Sequence, residues 1–276
     1  IGSEKILNFY HQNTFEFSIK DAQREHYLVE YQYRVLPCAM PEEDWESYKA
    51  YSKEIVQLQH VLEQEDDEKD RLRLQQRIEG RYRDRAKLLK KNDQKVQTLQ
   101  TIFDEIPPSA RVLIYGDDLN HLDELGKELD RMGKYYFKYT GELDAQKERP
   151  TILKEFRQGI RKILLAVGCL DEGIDIPACD VAVFISSSTS ERQFIQRRGR
   201  VLRIAPGKTT AWIYDYLVYP ILPASTSDEE RRMALSMIDA QYRRINLMVD
   251  DAINGIREHQ KLDQFLSQRK LNPYDF

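Results

Sequence analysis

RVLIYGDDLNHLDELGKELDRMGKYYFKY, residues 111 to 139, opens on a short apolar run, continues with helical spacing over 119–132 and closes on a second β-rich run, KYYFKY (134–139). The pattern repeats downstream. RKILLAV (161–167), VAVFIS (181–186) and TTAWIYDY (209–216) are further apolar runs, with helical stretches over about 151–158 and 190–203. Strand-like runs alternating with helices imply βαβ crossovers and an α/β fold built on a mostly parallel sheet. Ligands of such sheets gather outside the carboxyl ends of the strands. Four loops therefore carry the interest: GDD (116–118), TGELD (140–144), VGCLDEGIDIP (167–177) and SSSTS (186–190).

Upstream the texture differs. Within residues 1–40, Tyr31, Tyr33 and Val35 alternate with polar residues, so a strand follows a short helix and Pro41 ends it. Residues 41–106 are long, charged and nearly free of helix breakers, with Leu58, Val61, Leu62, Leu88, Leu89, Val96, Leu99, Ile102 and Phe103 at helical spacing. This is a helical insertion or hairpin. Its acidic stretch EQEDDEKD (63–70) reads either as a solvated face or as a face for a protein partner. Residues 107–220 hold the alternating pattern. Residues 221–276 return to helix, with Met233, Met237, Ile238, Ile245, Met248, Val249, Ile253 and Ile256 as apolar positions that pack a tail on the body.

Of the 276 residues 41% are hydrophobic, which supports a real core, and 46 acids against 42 bases leave a net charge of −4. No global field draws this chain to nucleic acid, so any basic surface is local. Cys38, Cys169 and Cys179 lie far apart and form no zinc-type spacing with the five histidines. A reducing compartment and no metal site are expected. No apolar run is long enough to span a bilayer and the first residues are not a signal peptide, so neither membrane association nor secretion is expected.

QRRGRVLRIAPGKTT (196–210) poses the sharpest question, because GKT often closes a phosphate-binding loop. Such a loop needs a glycine five positions ahead of its second glycine, and position 202 is Leu. Pro206 before Gly207 favours a turn between helix and strand. The arginines are another matter. A helix over 190–203 puts Gln193, Gln196, Arg200 and Arg203 on one face, with Phe194, Ile195, Val201 and Leu202 toward the sheet. Gly199 inside that helix costs about 1 kcal/mol relative to Ala, which suggests a close neighbour.

QRRGRVLR resembles the sixth motif of superfamily 2 helicases, and LDEGIDIP (170–177) resembles their fifth. RVLIYGDD resembles the fourth, and YTGELDAQKERPTILKEFRQGIRKILLAV the segment linking it to the fifth. Together these cover residues 111–216 in order, and their texture is most similar to the XPB-like DNA helicases and restriction-type translocases. FSIKDAQREHYLVEYQYRV resembles the stretch that leaves the first motor domain of those proteins. No Walker A or Walker B motif accompanies it. The resemblance therefore implies the second, C-terminal RecA-like domain of a two-domain motor, inactive without the first.

The resemblance also implies roles. Arg200 and Arg203 would be arginine fingers toward the γ-phosphate, with Gln196 positioning them or the nucleotide. Asp175 would meet the ribose hydroxyls or orient an arginine, Gly173 would admit the backbone to the cleft, and Arg197 would contact ATP or brace the loop. Thr140 and Gly141 would hold a nucleic-acid phosphate. Ser187 and Ser188 would add phosphate contacts or simply cap the next helix. ATP and Mg²⁺ would be bound mainly by the absent domain, and the partners would be DNA and that N-terminal RecA-like domain. The location would be the cytoplasm of a prokaryote or the nucleus of a eukaryote. An RNA helicase, a non-unwinding double-strand DNA translocase and a non-catalytic interaction module remain as alternatives.

Overall fold

The computed structural model describes residues 18–141, 143, 147–167, 179–186 and 191–274. A capped helix α1 (Ile19–Arg24) leads into β1 (Glu30–Met40). The insertion follows as a long antiparallel pair, α2 (Glu42–Gln64) and α3 (Glu68–Lys90), and two short helices, α4 (Asp93–Gln97) and α5 (Leu99–Glu105). Then come β2 (Val112–Tyr115), α6 (Leu119–Arg131), β3 (Phe137–Tyr139), α7 (Glu148–Arg157), β4 (Ile163–Ala166), β5 (Val181–Val183), α8 (Glu191–Val201) and β6 (Thr210–Pro220). The tail forms α9 (Asp228–Val249) and α10 (Gly255–Ser267).

All six strands join one parallel sheet in the order β1-β6-β5-β2-β4-β3. The period-two alternation of the strands divides its faces. Val112, Ile114, Ile163, Leu165, Val181 and Val183 pack under α5 and α6, while Leu113, Leu164, Ala166 and Ala182 pack under α7 to α10. Burial on both faces explains why these strands read as continuous apolar runs. The β2 strand sits where the order reverses, with β4 on one side and β5 on the other, so the carboxyl edge beside it is the switch point of the sheet.

The strand within residues 1–40 belongs to this sheet. Residues 30–40 pair in register with residues 210–220, from Glu30↔Thr210 to Met40↔Pro220. Its outer edge is covered by side chains of the tail and the insertion. Asn254 accepts from the Tyr33 N–H at 2.9 Å and donates to the Tyr33 carbonyl at 2.8 Å. Glu258 accepts from the Val35 N–H at 3.1 Å, and Gln94 from the Ala39 N–H at 2.8 Å. An edge strand so occupied cannot template a second sheet.

Three sequence expectations change. The tail helix breaks at residues 250–254, which resets its phase, so Ile253 and Ile256 face outward while Gly255, Leu262 and Leu266 are buried. Val61 is likewise exposed on the hairpin, whose small core is Ile55, Leu58 and Ile78. And KYYFKY forms a strand only over Phe137–Tyr139, leaving Tyr135 in solvent.

Candidate functional site

The carboxyl edge of the sheet gathers Gly116 and Asp117 after β2, Thr140 and Gly141 after β3, and Ile185 and Ser186 after β5. Gly173 and Asp175, together with Ser187 and Ser188, lie outside the described residues. Thr140 is buried and Gly141 exposed, with Arg149 donating to the Gly141 carbonyl at 2.7 Å.

The α8 helix is held to the sheet by both apolar and cationic side chains. Phe194 meets Phe184 edge to face at 5.2 Å between centroids, and Phe184 meets Tyr115 at 5.3 Å. Arg197, only 6% exposed, lays its guanidinium 4.8 Å from the Tyr115 ring centroid and donates to the Ser186 carbonyl at 3.1 Å. Arg198, 5% exposed, donates to the Leu247 carbonyl at 2.6 Å and pairs with Asp251 at 3.1 Å, tying α8 to the tail. Two of the motif's arginines are therefore anchors. Arg197 reaches the start of the loop after β5 through its bond to the Ser186 carbonyl.

The remaining motif side chains lie further out: Gln196 is exposed, Arg200 half-buried and Arg203 exposed. The predicted face is shorter than expected, because α8 ends at Val201. Arg203 instead forms a bridge with Leu28, and the Val29 N–H donates to the Leu202 carbonyl at 2.9 Å, so pairing with the chain ahead of β1 stops the helix. Arg200 and Arg203 are then not one helical turn apart on a continuous helix. Ile195 is 41% exposed rather than packed on the sheet. No atom lies within 4 Å of a Cβ built on Gly199, so no close neighbour among the described residues demands that glycine.

GKT proves to be a helix cap. Gly207 adopts φ +77°, a turn conformation suited to glycine, and the Lys208 ammonium donates to the Val201 and Arg203 carbonyls at the end of α8. A cation there also opposes the negative end of the helix dipole. Burial lowers the Lys208 pKa, and nearby Arg111 adds to that, while Cys179 and Asp180 oppose it.

The base of the insertion clamps the same edge, a feature that sequence reasoning missed. Lys90 pairs with Asp117 at 2.8 Å and Lys91 with Asp118 at 2.6 Å. Lys95 reaches from α4 to the Ile185 carbonyl at 2.8 Å, with Tyr216 beneath it at 5.5 Å. Burial above all, and then the Arg244 charge, pushes the Lys95 pKa down to about 7. His121, fully buried, bonds Ser186 Oγ through Nδ1 at 3.2 Å, accepts there from the Asp117 N–H at 3.3 Å, and has its pKa lowered to about 4 mainly by burial. Behind these, Asp215 is fully buried between Tyr33 Oη at 2.8 Å and Arg244 at 3.2 Å.

A parallel sheet wrapped on both faces by helices, with its switch point bordered by an arginine-bearing helix, defines an α/β domain of the RecA-like kind. Residues 94–205 match the helicase conserved C-terminal domain, which supports a superfamily 2 helicase C-terminal domain over that stretch. The chain is 47% identical over 58 residues to Dicer-like protein 2-1 of Aspergillus niger (21% of this chain, 4% of that protein). It is 28% identical over 133 residues to UvrABC system protein B of Coxiella burnetii (45% and 20%). It is 41% identical over 56 residues to DNA 3'-5' translocase XPB2 of Sulfurisphaera tokodaii (20% and 13%). The chain thus spans a fifth or less of each relative's length. In fold it is similar to the C-terminal part of the Fun30 ATPase domain, with a TM-score of 0.51 at 12% identity, over 78% of this chain and 99% of that one. No helix among the described residues is long and apolar enough to cross a membrane.

Proposed function

We propose that this chain is the second motor domain of an ATP-dependent DNA helicase or translocase, working against a RecA-like first domain that binds ATP and Mg²⁺. One observation carries the reading. Arg197 and Arg198 are buried anchors of α8, whereas Gln196, Arg200 and Arg203 of the same motif are left at or near the surface. A helix held this rigidly can present a guanidinium to a phosphate without reorganising. In-line phosphoryl transfer spreads negative charge over the phosphate oxygens, and a planar guanidinium fork can stabilise it. Arg200 and Arg203 would act there, and Gln196 would position them or the nucleotide.

Guanidinium groups suit the outer phosphate oxygens of ATP. Magnesium would be held mainly by the other domain. Thr140 and Gly141, at the strand ends on the far side of β2, would hold a nucleic-acid phosphate, a contact that positions a strand without reading it. DNA is favoured over RNA because one relative is by name a DNA translocase. The insertion over 41–106 and the tail over 221–276 would be additions to a core of residues 107–220, completed by the strand within 1–40.

The test is reconstitution. This chain alone is expected to hydrolyse no ATP, and joining it to a preceding domain with a phosphate-binding loop is expected to yield nucleic-acid-stimulated hydrolysis. Turnover by the purified chain alone would overturn the reading.

A further inference from the structure

The α3 helix, 23 residues long, carries nine Lys and Arg against four Asp and Glu, in a chain whose net charge is −4. Where those cations point matters more than their number. Ile78 faces α2, in the small core with Ile55 and Leu58. At 100° per residue, the positions opposite Ile78 are Lys69, Arg73, Gln76, Gly80, Arg83 and Lys87, spaced four, three, four, three and four apart. This outermost row contains no carboxylate. It runs along about 27 Å of helix at 1.5 Å per residue.

The cations off this row are engaged. Arg77 pairs with Glu54 at 2.6 Å, Arg81 with Glu54 at 2.9 Å and Asp84 at 2.8 Å, and Arg85 bonds Ser52 at 3.1 Å. On the row, Arg73 pairs with Asp70 at 2.8 Å and Arg83 Nε reaches the Glu79 carbonyl at 3.4 Å. Lys69, Arg83 and Lys87 have no carboxylate partner among the described residues. At the middle of the row stands Gly80, with nothing within 4 Å of where a Cβ would be. No packing among the described residues explains a glycine inside this helix, where it costs stability. A surface pressed close from outside would.

We infer that the outer face of α3 is a docking surface for the phosphate backbone of a duplex nucleic acid. A straight row of cations with a glycine gap suits a polyanion that follows the helix axis. The row has no aromatic side chain on which a base could stack, which disfavours single strands. The foot of α3 is joined to the strand-end loop by Lys90 and Asp117, so a duplex on this face would border the carboxyl edge of the sheet. This inference goes beyond the motor reading and does not depend on hydrolysis.

The experiment titrates labelled duplex DNA and, separately, duplex RNA with the 276-residue chain over a range of salt. The row variant is K69Q/R73Q/R83Q/K87Q, and a control, R232Q/R243Q/R257Q/K261Q, removes the same charge from exposed tail positions. The row variant is expected to bind at least ~10-fold more weakly near 0.1 M salt, and its log–log salt slope is expected to fall by roughly three to four, at about 0.9 for each phosphate no longer neutralised. The control should keep most of both. Gly80→Glu, which preserves the helix and puts a carboxylate on the row, should weaken binding on its own. Weaker binding of both duplexes, or of only one, supports the inference and says which backbone is bound. Equal weakening in the row and control variants overturns it. So does a wild-type chain that binds neither duplex, which would leave the row to an acidic protein surface. Neither failure touches the reconstitution test of the motor reading.

Discussion

The guanidinium of Arg197 lies 4.8 Å from the ring centroid of Tyr115, joining α8 to the end of β2. The same group donates to the Ser186 carbonyl, so one buried cation spans the two strand ends that border the switch point. Arg197→Ala would leave that carbonyl without this donor and a cavity over Tyr115. A loss of about 2 to 4 kcal/mol is expected from chemical denaturation. Arg197→Lys should recover only part of it, since an ammonium has no planar face to lay on the ring.

Two glycines should respond to alanine in opposite directions. Gly80 sits in an open helix interior, so Gly80→Ala is expected to stabilise the chain by up to about 1 kcal/mol. Gly255 lies against the tail's turn, where a Cβ would meet the Val249 carbonyl oxygen at 2.0 Å, and Gly255→Ala must push that turn apart. Thermal unfolding of the pair checks both signs at once.

Stability should rise with pH through two windows. His121 has a folded pKa near 4, below its ordinary 6.5, so between those values the unfolded chain holds a proton that the folded chain lacks, and raising the pH favours folding. Lys95 does the same between about 7 and 10.5. Of the groups around it Arg244 adds to burial, and together they outweigh Asp215, Cys38 and Asp117, which act the other way. The slope from Lys95 can reach about 1.4 kcal/mol per pH unit. Denaturation midpoints measured from about pH 7 to about pH 9.5 should climb in the native chain and stay flatter in Lys95→Met.

Asn254 closes both backbone groups of Tyr33 on the edge strand. Asn254→Ala is expected to cost about 1 to 3 kcal/mol and to speed amide exchange at Tyr33. Unchanged exchange there would mean that solvent already reaches this edge.

Much of this architecture was legible in the sequence, because strands buried on both faces and helices buried on one leave clear periodicities in Val112–Tyr115, Ile163–Ala166 and Leu119–Arg131. The end of α8 was not. It depends on Leu28, more than a hundred residues away, whose bridge to Arg203 no local pattern announces. The burial of Arg197 and Arg198 was hidden for a similar reason, since arginine ordinarily faces water and both partners come from other elements. The clamp of Lys90, Lys91 and Lys95 on Asp117, Asp118 and Ile185 gave no sign except the lysines themselves, set in a long charged helical insertion. The decoy status of GKT was readable from Leu202 and Pro206, while the capping work of Lys208 needed the fold.

The central claim is that α8 presents Arg200 to a phosphate held by another domain. ATP hydrolysis by the two-domain protein with Arg200→Ala, followed beside nucleotide binding, tests it most directly. A fall of at least ~10³-fold with binding largely kept is the predicted result. Hydrolysis at the native rate would contradict the account and leave α8 as the surface of a non-catalytic interaction module.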